Sequence, residues 1–198
     1  MIFIRRFRFL LFVGAGLVSG GSLRALPVDF TPYPYEHRFD GAIFTGFKFV
    51  HGKERIIYTP PAGWTCMGSG ATATLRDPEA TSTIRAEITH KDNTALPTWD
   101  QEGIDALTKR AQALLPLASE LTITEVCQKP FQIGGHETIR FDFTGQMLAQ
   151  NYKFVVVLVP FADEQFGFVM YAEKKEFEAA ATRFMSSLNT LRWEKPTP

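Results

Sequence analysis

Phe154-Val155-Val156-Val157-Leu158-Val159 is apolar at every position. An alternating pattern marks a strand with one wet face; an unbroken apolar run of this length marks a strand covered on both. The sheet that holds it therefore needs a layer on each side. Phe166 to Tyr171 behaves the same way beyond the turn-like Ala162-Asp163-Glu164. Upstream the pattern loosens. In Thr138 to Thr144, Ile139, Phe141 and Phe143 fall on one face and Arg140 and Asp142 on the other, the period of two of a half-wet strand. Gly134-Gly135 makes a hairpin turn back to a strand over Leu121 to Gln128, because glycine tolerates positive φ.

Two helices complete the outline. Thr98 and Gln101 have the spacing of a capping box, and Asp100, Glu102 and Asp105 place negative charge at the positive end of the helix dipole. Ile104, Leu107, Ala111 and Leu114 then form one apolar stripe, which Pro116 ends. The second helix follows from Phe177, Ala180, Ala181, Phe184, Met185 and Leu188, again at steps of three and four. Ahead of both lie strands over Phe44 to Val50 and Arg55 to Thr59, flanking His51-Gly52-Lys53-Glu54. Others follow over Ala71 to Leu75 and Thr83 to Thr89, separated by Asp77-Pro78. Strands, helix, strands, helix with tight turns implies an α+β fold. Its largely antiparallel sheet is covered by helices in an α/β/α sandwich.

The first residues point outside the cytoplasm. Arg5, Arg6 and Arg8 precede the uncharged stretch from Phe9 to Leu23, and small residues follow. Residues 1–25 read as a secretory signal peptide cleaved after Ala25, with Gly20 the competing site. An uncleaved anchor is the alternative; it needs roughly 20 apolar residues, and this run is shorter and holds Gly14, Gly16, Gly20 and Gly21. Residues 26–40, with Pro27, Pro32 and Pro34 among Phe30, Tyr33 and Tyr35, read as an extended lead-in. One domain follows over 41–193, then a tail over 194–198. The leader holds four of the chain's 21 basic residues and none of its 21 acidic ones, so the mature chain carries a net charge of −4. That balance argues against a nucleic-acid partner. Stable membrane insertion is not expected once the leader is removed.

The segment Tyr58-Thr59-Pro60-Pro61-Ala62-Gly63-Trp64 resembles the strand followed by Pro-x-Gly-Trp near the start of PsbP-like and DcrB-like domains. The resemblance covers roughly residues 41–193. It implies an α/β/α sandwich used for binding and assembly, with no common catalytic centre. Neither a photosystem-docking nor a Ran-binding motif maps onto residues here, so it implies no particular partner.

Few residues stand out for chemistry. His37, His51, His90 and His136 show no metal-ligand spacing, and there is no Cys-x-x-Cys or phosphate-binding loop. Gly68-Ser69-Gly70 lacks the pattern of a nucleophile elbow and reads as a turn. No catalytic, metal or cofactor site is expected. Cys66 and Cys127 are the only cysteines; in an oxidising compartment they form a disulfide if their strands are neighbours, and otherwise stay as small buried thiols. Trp64 either covers one end of the core or, with Tyr33 and Tyr35, belongs to a ligand or partner surface. The expectation is a secreted or periplasmic cell-envelope protein, a non-catalytic interaction module with an envelope protein partner. The alternative is a small-molecule or lipid binder with a pocket between sheet and helix.

Overall fold

A computed structural model describes residues 28–78, 83–90, 97–115, 117–160 and 164–194, with backbone alone for 83–90 and for positions 37, 39 and 164. The leader, Pro116 and the turn before Glu164 lie outside the described residues.

The described residues form a four-stranded and a seven-stranded sheet, and every strand pairing in both is antiparallel. The small sheet joins β1 (Val28–Phe39), β2 (Ala42–His51), β3 (Glu54–Tyr58) and, from the far end of the chain, β11 (Arg192–Glu194), in the order β1-β2-β3-β11. The large sheet contains β4 (Thr65–Ser69), β5 (Thr72–Arg76), β6 (Thr83–His90), β7 (Ser119–Ile133), β8 (His136–Met147), β9 (Gln150–Pro160) and β10 (Glu164–Glu173), ordered β4-β5-β6-β10-β9-β8-β7. Helix α1 (Gln101–Ala113) follows β6, and α2 (Phe177–Leu188) follows β10.

The apolar run sits where its composition requires. On β9, Phe154, Val156 and Leu158 join a core with Ile139, Phe141 and Phe143 of β8 and the stripe of α1. The alternate residues Val155, Val157 and Val159 join a second core with β10, α2 and the inner side of the small sheet. One face of the large sheet is thus covered by α1. The other is shared by α2 and the small sheet, so a pair of helical layers does not describe the fold completely. Where α1 ends it comes very close to β10: a Cβ on Gly167 would stand 2.5 Å from Leu114 Cδ1.

Three local readings change. Helix α1 is capped by Asp100, whose Oδ1 accepts from the Gly103 amide at 2.9 Å; the Thr98 hydroxyl supports the cap by donating to that carboxylate at 2.7 Å. The stretch 28–39 is extended, as its prolines require, yet it is a paired strand whose Val28 and Phe30 lie in the core. Its turn to β2 is Asp40-Gly41, with both residues at positive φ, as a two-residue hairpin demands. Gly68 and Ser69 end β4, and the turn begins at Gly70. The β8–β9 turn has the same geometry with the wrong residues for it: Leu148 and Ala149 sit at φ 52° and 61°. Each non-glycine residue there costs roughly 1–3 kcal/mol.

Candidate binding surface

The small sheet turns one face inward. Phe49 and Ile56 are core residues, and Phe47 and Trp193 pack against the same core. Because strand residues alternate, Lys48, Ile57 and Arg192 point outward, and the register sets Tyr33 opposite Lys48, Lys48 opposite Ile57, and Ile57 opposite Arg192. Tyr35 lies two positions along from Tyr33 on this face. The next row holds Asp29, Val50, Arg55 and Glu194.

Tyr35 is the centre of this surface. Lys48 Nζ lies 4.1 Å from its ring centroid, and an Arg192 guanidinium nitrogen donates to its hydroxyl at 3.4 Å. A cation over the face of a phenol ring is attracted by the ring quadrupole. Arg192 also meets Glu194 at 3.2 Å. Ile57, between Lys48 and Arg192, is only 1% exposed and belongs to neither core cluster. Tyr33 is 51% exposed. Lys48, Arg55 and Arg192 stand against two carboxylates in these rows, Glu194 and, opposite Val50, Asp29, which is taken up by the Thr31 and Gly70 amides. The outer face is thus aromatic and basic, on a chain whose residues beyond 25 are net acidic.

Trp64 is not part of it. It is 5% exposed, packs in the core with α2, and carries Arg183 over its ring at 5.8 Å. Arg183 in turn binds the buried carboxylate of Asp77 at 3.1 Å. Tyr33 and Tyr35 therefore share a surface, while Trp64 closes one end of the interior.

The cysteines are not brought together. Both thiols are free. Cys66 is on β4 and Cys127 on β7, the two edges of the large sheet. Six strand-to-strand steps of roughly 4.8 Å separate those edges, whereas a disulfide needs Cα atoms about 4.4–6.8 Å apart. Burial pushes the Cys66 thiol up to about 11. The Cys127 thiol is raised chiefly by its hydrogen bond to Glu125, at 3.1 Å.

Two concavities formed by described residues hold little that is uncommitted. The enclosed cavity between the sheets, bounded by Phe30, Phe49, Tyr58 and Phe166 among others, has about 10 Å³, space for one water at most. Trp64 does not line it. A groove of about 500 Å³ beside α2 is lined by Phe131, Arg140, Glu178 and Met185, but its guanidinium is held by Asp142, with Nε at 2.7 Å. Among the described residues no three His, Cys, Asp or Glu side chains are placed to share a metal ion. No helix there is long and apolar enough to cross a membrane.

No protein-family model matches the chain, and no curated protein matches it either. Solved structures show distant likenesses. A Pseudomonas aeruginosa protein of unknown function aligns over 84% of this chain and 99% of its own, at 9% identity and a TM-score of 0.44. LpqN of Mycobacterium tuberculosis, involved in cell envelope biogenesis, aligns over 85% of this chain and 92% of its own, at 13% identity and 0.46. A Bacteroides thetaiotaomicron protein aligns over 72% of this chain but 45% of its own, at 12% identity and 0.43. At such identities and scores these likenesses assign the chain neither family nor function.

Proposed function

We propose that this protein is an exported, non-catalytic binding module of the cell envelope that docks an acidic protein partner on the outer face of its small sheet. One observation carries the proposal: Lys48 and Arg192 converge on Tyr35 beside the exposed Tyr33. Aromatic rings and arginine are the side chains enriched at interfaces, and a basic patch on an acidic molecule selects partners of opposite sign. The leader-like residues 1–25 support export. Binding is favoured over chemistry because the ion pairs beside the grooves hold one another, Arg140 with Asp142 and Lys153 with Glu178. In fold terms the module is a PsbP-like layered sandwich in which the small sheet takes part of the second layer.

The test is crosslinking in intact envelopes, comparing the natural chain with the double variant Lys48→Glu, Arg192→Glu. A specific partner captured by the natural chain is expected to drop at least tenfold with the variant, with little change in Tm, and to be lost as salt rises. Equal capture by both proteins, or no specific partner, would sink the reading.

A further inference from the structure

The tip of the β8–β9 hairpin is built against its own stability. Leu148 is 91% exposed and, with Ala149, occupies positive φ, where Asn-Gly would sit without strain. Sheet register does not require these residues, and backbone strain of this kind clusters at working sites. A second protruding leucine, Leu117, is 77% exposed. It lines the same apolar cleft as Met147, the neighbour of Leu148, together with Leu114, Val169 and Tyr171. From Gln146 to Asn151 no residue is charged.

Next to the tip the chemistry reverses. A groove of about 310 Å³ is lined by Gln146, Asn151, Tyr152, Lys153, Lys174 and, as its one carboxylate, Glu120. Tyr152 belongs to this groove and Tyr171 to the apolar cleft, and their rings meet edge to face at 6.2 Å. Lys153 is paired with Glu178 at 2.8 Å; Lys174 is exposed. Uncharged leucines, then a tyrosine pair, then lysines follow the order of a phospholipid leaflet from hydrocarbon through interface to phosphate.

We propose that this end of the molecule is a membrane-contact site, with Leu148 and Leu117 entering the acyl boundary of a phospholipid surface and Lys174 at its phosphates. The occupant is a bilayer because the apolar groups project as tips and the exposed Lys174 beside them matches phosphate. The proposal is independent of the partner-binding face. It describes reversible contact, not a spanning segment.

The experiment is flotation of the full chain, as exported by an expression host, with phosphatidylcholine vesicles containing 20% phosphatidylglycerol (roughly; a mild anionic surface). The comparison is with Leu148→Asn, Ala149→Gly and, separately, Leu117→Gln. The double variant suits the turn, so its Tm is expected to rise while vesicle binding falls about tenfold or more. Leu117→Gln is expected to weaken binding without unfolding. Leu148→Trp is expected to be quenched by vesicles with brominated acyl chains beyond the quenching of the natural tryptophans. Unchanged flotation of the double variant, no flotation of the natural chain, or concentration-dependent self-association that the double variant abolishes would each overturn the proposal.

Discussion

Asp100 shows how a single side chain sets a helix start. Thr98 and Gln101 have the spacing of a capping box, but the cap is the aspartate between them, with Thr98 as its support. The pattern was legible to within two residues; which of two nearby cap formers takes the N-cap depends on backbone angles that spacing does not encode. The Gly103 amide first, and the Thr98 hydroxyl second, hold the Asp100 carboxyl below the ordinary carboxylate range. A lowered native value means that the ionised form stabilises the fold above the unfolded value of about 3.9, and that this stabilisation is lost as pH falls through the native one. Asp100→Asn keeps an acceptor but removes the charge. Its Tm is expected to lie below that of the natural chain at pH 7, with the gap closing as pH drops from about 4 through the lowered native value. A gap that persists unchanged at pH 2 would assign the effect to something other than ionisation.

Among elements, α2 is the one whose sequence and structure agree most closely. Its apolar positions recur without error, the helix runs from Phe177 to Leu188, and Phe184 and Leu188 are both 0% exposed. Removing the Phe184 ring should cost about 3–5 kcal/mol. In urea, Phe184→Ala is expected to lower the midpoint with little change in slope; a loss under ~1 kcal/mol would mean that the second core closes around the gap. β1 is the contrasting case. Pro32 and Pro34 argue correctly for extended chain and against helix, yet they also argue against a central strand. The answer is an edge strand: β1 pairs only with β2 in the small sheet, and its register shifts between Asp29 and Tyr33. β7 is an edge of another kind, with three register irregularities and with positive φ at Glu120 and Lys129. Such bulging discourages strand addition by other chains.

For the whole molecule, the two-sided burial of β9 was legible in six consecutive residues, whereas the make-up of the candidate surface was legible only in part. Tyr33 and Tyr35 could be singled out because aromatics between prolines are conspicuous. Lys48 and Arg192 could not, because they are 144 positions apart and meet only through the pairing of β2, β3 and β11. Long-range pairing also decides the cysteines, which lie on opposite edges of one sheet. Alkylation of the native protein followed by mass spectrometry is therefore expected to find two modifiable thiols. Cys127 should react before Cys66, whose thiol stays protonated up to about 11. An intramolecular bond in the native protein would refute this topology.

The same pairing has a temporal side. Arg192–Glu194 close against Arg55–Ile57, so a sheet begun by one set of residues is finished by residues synthesised long after them. Until then β3 has an open edge, and Tyr58 lacks the Ser187 hydroxyl that it meets at 2.7 Å in the finished protein. The molecule cannot complete its small sheet until residues 192–194 have been made. Pairing across so long a stretch of chain keeps the small sheet incomplete while everything between β3 and β11 is made, with the topology itself acting as the timer.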